Sequence, residues 1–243
     1  FFLKGKKNFS EIKSSKKNLS FNSSFTPIEK DRIKLILIAS LILIIFWASF
    51  EQAGGLMNIY AFEKTDRNLG FINFEVPASW FQSINPLMII LLGFHISAFW
   101  IFLKKKKIIS SSLFKISVGI IIMGLGFVFM YFASLESSVY GKSTMYWLVL
   151  AYLFHTIGEL CASPIILSYI TKLSPKKLVA SIMGIYFATI GLGNKLAGTI
   201  GESSGNLGET KIFLGITILC LVVGLITILF HKKLIKLSHG IDN

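Results

Sequence analysis

The chain has 243 residues, 53% of them hydrophobic and only 15% charged, with a mean hydropathy of +0.68. A soluble domain carries roughly 25% charged residues, so this composition excludes an ordinary water-soluble globule and fits a polytopic membrane protein. The formal net charge of +13 invites a nucleic-acid reading, but no basic stripe with interleaved aromatics lies outside the apolar segments, and no nucleic-acid partner is expected.

Residues 1–32 are rich in Lys, Ser and Asn and lack an apolar core. They are not a signal peptide and read as a flexible cytoplasmic linker. The chain opens on Phe1 rather than Met, which suggests that further sequence precedes it. Asn18-Leu-Ser20 and Asn22-Ser-Ser24 match a glycosylation pattern, but a cytoplasmic linker would not meet that machinery.

A membrane-crossing helix needs about 20 mostly apolar residues. Six such segments are predicted: 33–62, interrupted by Glu51, then 77–103, 108–135, 145–173, 179–200 and 212–230. Residues 33–230 form the predicted bundle and 231–243 a cytoplasmic tail. Lysines and arginines collect before the first segment, after the second (Lys104 to Lys107), between the fourth and fifth (Lys172, Lys176, Lys177) and after the sixth (Lys232, Lys233, Lys236). If the helices alternate in direction, these clusters share one side. The opposite loops, with Glu63, Asp66, Arg67, Glu75, Glu136, Lys142, Glu202 and Glu209, are mixed in sign. The positive-inside rule then places both termini in the cytoplasm. Cys161 and Cys220 fall within spans and are expected to be reduced and unpaired; no spacing suggests a metal site, and no phosphate-binding loop or nucleophile elbow is present.

Two carboxyls, Glu51 and Glu159, lie within the predicted spans. An ionised side chain at mid-bilayer costs about 2.5–3.5 kcal/mol, so each must face a polar cavity or be protonated. Polar neighbours recur at helical spacing: Trp47, Glu51, Gly55 and Asn58 on the first span, Gln82 and Asn85 on the second, and His155, Glu159 and Ser163 on the fourth. Three polar stripes at similar depth predict one shared aqueous cavity. Pro86 and Pro164 each remove a helical hydrogen bond, from the carbonyls of Gln82 and Leu160, and predict kinks beside the carboxyls. Gly54 and Gly55 allow bending, while Gly191, Gly193, Gly198 and Gly201 predict tight packing of the fifth helix. For His155 the reading adopted is a hydrogen bond to a carbonyl, with proton sharing with Glu159 as the alternative; Lys195 is expected to snorkel to the surface.

FWASFEQAGG with NIYAFEKTDRN, EVPASWFQSINPLMIILL, LFHTIGELCASPIILSYITKLSP and IMGIYFATIGLGN occur in that order. Together they resemble the second half of the proton-dependent oligopeptide transporters, within the major facilitator superfamily. The resemblance runs from about Thr26 to Phe230. It implies an all-α membrane fold, a six-transmembrane-helix bundle forming one half of a major facilitator fold, its spans being helices seven to twelve of the family core.

It further implies proton coupling at Glu51, a peptide-cavity wall at Trp47, contact with peptide backbone at Asn85, and capture of the peptide amino end at Glu159. Tyr186 falls where many members have tryptophan; Gln82, within the second-span motif, can hydrogen-bond peptide amides as Asn85 does, and Ser163 stands beside its motif, all three being expected substrate-binding residues. The implied activity is proton-coupled symport of di- and tripeptides at the plasma membrane, not enzymatic, with the proton as coupling ion and no other cofactor. The expected partners are peptides, protons, the bilayer and an N-terminal six-helix half. That half would carry the family's Glu-x-x-Glu-Arg-Phe motif, which this chain lacks, so the chain is expected to be a fragment, a split-gene product or a remnant. Carriage of nitrate or amino acids and a non-transporting scaffold role remain the alternatives.

Overall fold

The computed structural model describes residues 25–70, 73–106 and 111–242. The predicted linker up to residue 24, with both glycosylation patterns, and Lys107 lie outside the described residues.

Among the described residues six helical segments are long and apolar enough to cross a membrane. The first is broken into α1 (Pro27–Phe50), a 3-10 turn at Glu51–Ala53, and α2 (Leu56–Lys64). A 3-10 helix at Ala78–Ser83 leads into α3 (Ile84–Lys105). Then follow α4 (Ser112–Tyr140), α5 (Met145–Leu173), α6 (Val179–Leu207) and α7 (Glu209–Lys236).

The helix ends follow local chemistry. Thr26 caps α1 in a reciprocal box with Glu29: the Glu29 N–H donates to Thr26 Oγ1 at 3.2 Å and the Thr26 N–H donates to Glu29 Oε2 at 2.9 Å, with Pro27 where its missing N–H costs nothing. The helix therefore starts at Pro27, inside the segment predicted as linker. Gly141 and Gly208, with φ of 83° and 81°, end α4 and α6 in a conformation that suits a residue without Cβ.

Both ends of the bundle are tied across the sequence. At one end Thr65–Asp66 (β1) pairs in parallel with Ser143–Thr144 (β4), while Asn68–Leu69 (β2) and Phe74–Glu75 (β3) form a small antiparallel pair braced by an Arg67–Glu75 ion pair at 2.6 Å. At the other end Arg32 Nε donates to the Ser238 carbonyl at 3.3 Å and His239 meets Asp31 at 2.7 Å. The Ser112 N–H donates to Asp242 Oδ1 at 2.7 Å, so a residue 130 positions away caps α4. The predicted tail is thus corrected: α7 runs on to Lys236, and Ser238 and Asp242 are buried. The basic clusters that the structure describes gather at this second end.

Close helix contacts run through small residues. A Cβ on Gly119 would stand 2.6 Å from the Gly158 carbonyl oxygen, joining α4 to α5; one on Gly124 would stand 2.7 Å from Cys220 Cβ, joining α4 to α7. In a bilayer such fitted contacts replace the hydrophobic drive available in water. On α6 the expectation of tight packing holds at Gly193 alone, where an added Cβ would meet Trp47 Cβ at 2.6 Å; Gly191 and Gly198 face open space and Gly201 only reaches Gln52 at 4.0 Å. Cys161 and Cys220 are free and buried.

Gly119→Val should lower stability by about 1–3 kcal/mol through overpacking, read as an earlier melting transition in detergent. Gly184→Ala, whose Cβ meets nothing within 4 Å, should melt no earlier than the parent.

Candidate functional site

Asn85 and Glu159 meet. Asn85 Nδ2 on α3 donates to Glu159 Oε2 on α5 at 2.9 Å and to Thr156 Oγ1 at 3.2 Å. Thr156 in turn donates to the Tyr152 carbonyl at 2.8 Å, within its own helix. The carboxylate is half-buried, and Oε1 accepts no hydrogen bond from the described residues. Asn85 reaches this position because the 3-10 helix at Ala78–Ser83 swings the chain into α3, placing Asn85 in its first turn. Pro86 follows in that same turn, where its missing N–H removes no helical bond, so the expected kink there is corrected. Pro164 does lie inside α5.

Gln82 belongs to the 3-10 helix and is exposed, so it does not share the α3 face with Asn85. Ser163 is half-buried on α5 and, among the described residues, makes no hydrogen bond to Asn85. Tyr186 on α6 is 7% exposed and stacks edge-on with Phe187, 5.3 Å between ring centroids.

Glu51 occupies the break in the first span. The α-helix stops at Phe50, the 3-10 turn follows, and Gly54 and Gly55 lead into α2. The continuous face expected for Trp47, Glu51, Gly55 and Asn58 is therefore interrupted. Glu51 lines a hollow of about 450 Å³ with Gly54, Gly55, Asn194, Gly198 and Glu202. Asn85 and Glu159 are not among its walls, so within this chain the single shared cavity resolves into two neighbouring polar places. They stay close: Tyr152 Oη on α5, one helical turn before Thr156, donates to the Ala53 carbonyl, two residues after Glu51, at 2.8 Å. Trp47 is half-buried between Phe46 and Phe50, with its indole N–H buried and unbonded.

Gln52, missed in the sequence reading, is 1% exposed and ties this break to α6: Nε2 donates to the Ala48 carbonyl at 3.1 Å and the Ala197 carbonyl at 3.0 Å. Thr156, Asn194 and Glu202 were also missed. The periodicity of α5 and α6 carried a signal for each, since Thr156 stands three residues before Glu159 and Asn194 four before Gly198. His155 is corrected: it neither shares a proton with Glu159 nor bonds a carbonyl. Both its ring nitrogens are buried without a partner, against Phe127 at 4.5 Å and beside Gly126. Lys195 is exposed, as expected.

The sequence profile described as PTR2, POT family, matches residues 6–207. The chain belongs to the POT family. This is a family of transporters, not enzymes. The POT chain is 42% identical over 177 residues to the peptide transporter YePEPT of Yersinia enterocolitica, covering 71% of this chain and 34% of that protein. It is 29% identical to the di-/tripeptide transporter of Lactococcus lactis subsp. cremoris, covering 82% of this chain and 40% of that one. The crystal structure of a POT family transporter in complex with a thioalcohol-conjugated peptide superposes with a TM-score of 0.77 at 30% identity, over 88% of this chain and 44% of that one. The POT chain thus spans less than half the length of these relatives, and its six apolar helices make it a multi-pass membrane protein.

Gln52→Ala should destabilise by about 1–3 kcal/mol, since two buried hydrogen bonds are lost, one to the Ala48 carbonyl of α1 and one to the Ala197 carbonyl of α6. Asn194→Ala, on the exposed wall of the hollow, should leave the melting curve in detergent unchanged.

Proposed function

We propose that this chain is the C-terminal half of a proton-coupled di- and tripeptide symporter, working with an N-terminal six-helix bundle in the plasma membrane with both termini in the cytoplasm. The observation that carries this reading is the Asn85–Glu159 contact. Asn85 spends one N–H on Glu159 Oε2 and leaves Oε1 for a cation. The ammonium of a peptide amino end suits that oxygen, because a charge-assisted hydrogen bond is short and strong. Asn85 and Gln82 then offer amide groups to peptide backbone, with Trp47, Tyr186 and Ser163 as walls.

A peptide also presents a carboxylate, which calls for an opposing cation. Among the described residues none stands beside Asn85 and Glu159, so the cation is assigned to the N-terminal bundle. Facilitators of this kind rock two bundles around a midplane site, and half a site is consistent with half a protein. Glu51, at a helix break beside an open hollow, takes the coupling role. Its carboxyl gains and loses a proton as the hollow opens to either side, and the break lets α1 and α2 move separately.

In the transporter assembled with its first six helices, Glu51→Gln should retain peptide exchange and lose proton-driven accumulation, measured in vesicles with an imposed pH gradient. Wild-type accumulation in that variant would remove the coupling role. Glu159→Ala should weaken dipeptide binding roughly tenfold or more, about 1.4 kcal/mol per decade; unchanged affinity would remove the amino-end role.

A further inference from the structure

The lysine-rich end of the bundle carries a second polar hollow, remote from Asn85 and Glu51 in function. It lies between three helices and measures about 400 Å³, with Ser97 and Trp100 from α3, Ser112 and Lys115 from α4, and Ser168 and Lys172 from α5 on its walls. Among the described residues no acidic side chain is on those walls. Lys115 is half-buried and rests on the Trp100 ring at 5.4 Å. Neither Lys115 nor Lys172 forms an ion pair among the described residues. The neighbouring carboxylate, Asp242, is already engaged by the backbone N–H groups of Ser112 and Leu113, at 2.7 and 3.5 Å. Asp242 is thus a nearby negative charge, but it is turned to the start of α4 and makes no ion pair with either lysine among the described residues, so two lysines face the hollow without a direct anionic partner.

We propose that this groove binds an anionic membrane phospholipid, its phosphate held between Lys115 and Lys172 with the serine hydroxyls as further donors. Basic recesses between membrane helices attract anionic headgroups by this means. The choice of a lipid over a soluble anion rests on what adjoins the groove. A second hollow of about 480 Å³ shares Ser97 and Ile101 with it and is walled otherwise by Phe94, Ala98 and Phe102, with Lys105 at the lysine-rich end. Phe94, Ile101 and Phe102 are 78%, 58% and 51% exposed, on a helix whose apolar window is only 6% buried. A basic recess thus opens directly onto an uncovered apolar channel, the order of charge and grease in a phospholipid.

The test is native mass spectrometry of the protein purified in mild detergent as it is made in the cell, titrated with phosphatidylglycerol or phosphatidylcholine of identical acyl chains. Phosphatidylglycerol should be retained roughly tenfold more than phosphatidylcholine. The double substitution Lys115→Gln, Lys172→Gln should abolish that preference, whereas Lys232→Gln, Lys233→Gln, at another basic cluster, should keep it. Ser168→Glu, on the exposed lip, provides a variant whose folding is checked by its melting curve and should lose phosphatidylglycerol selectively. Equal retention of the two lipids, preference surviving in both groove variants, or displacement of the lipid by millimolar inorganic phosphate would overturn the proposal, the last by making the site one for free anions.

Discussion

A carboxylate inside an apolar bundle must be held by a donor, and the Asn85–Glu159 hydrogen bond is where this chain meets that requirement. The cost of an ionised group at such depth, about 2.5–3.5 kcal/mol, makes the pairing of α3 with α5 more than a packing detail. α3 has few other anchors: its apolar window is 6% buried, and its main neighbour among the described helices is α5. The same bond therefore positions the acid, orients one of its oxygens and fixes the helix that presents Asn85. A ligand cation at the free oxygen would act on all three together, which gives binding a direct mechanical link to the placement of α3.

Glu51 solves the same problem differently. It stands not on a regular helix but at a break, where the 3-10 turn and two glycines interrupt the first span, and it faces an open hollow rather than a donor. Gln52, its neighbour, is the fixed point of that break, bonded to backbone on both α1 and α6. Gly193 brings α6 against Trp47 one turn earlier. A rigid tie and a solvated acid thus occupy adjacent positions. That arrangement suits a proton-accepting group on an element that moves without losing its register.

Much of this was legible in the sequence, because membrane helices announce themselves by length and apolarity and their polar exceptions stand out. The six spans, the gathering of lysines at one end and the standing out of Asn85 and Glu159 as polar exceptions all follow from those signals, whereas the bond between those two residues was not read from them. What was not legible depends on irregular backbone and on distant contacts. Helical spacing assumed that Trp47, Glu51 and Asn58 share one continuous face, and the break at Glu51–Ala53 interrupts it. Pro86 looked like a kink because the 3-10 helix before it leaves no trace in apolar periodicity. The docking of Asp242 on the start of α4 joins residues 130 apart in sequence, which no local pattern encodes. His155 looked like a partner for Glu159 by spacing alone. Yet residues four apart share a face only approximately, and the small side of Gly126 draws the imidazole into the α4–α5 contact.

The role given to Glu159 is tested most directly by comparing a dipeptide with its N-acetylated form as competitors for binding to the assembled transporter. Acetylation removes the ammonium and leaves the rest of the peptide intact. Strong discrimination in the parent protein, lost in Glu159→Gln, is the expected result. Equal competition by the two peptides in the parent protein would show that no carboxylate in this bundle reads the amino end.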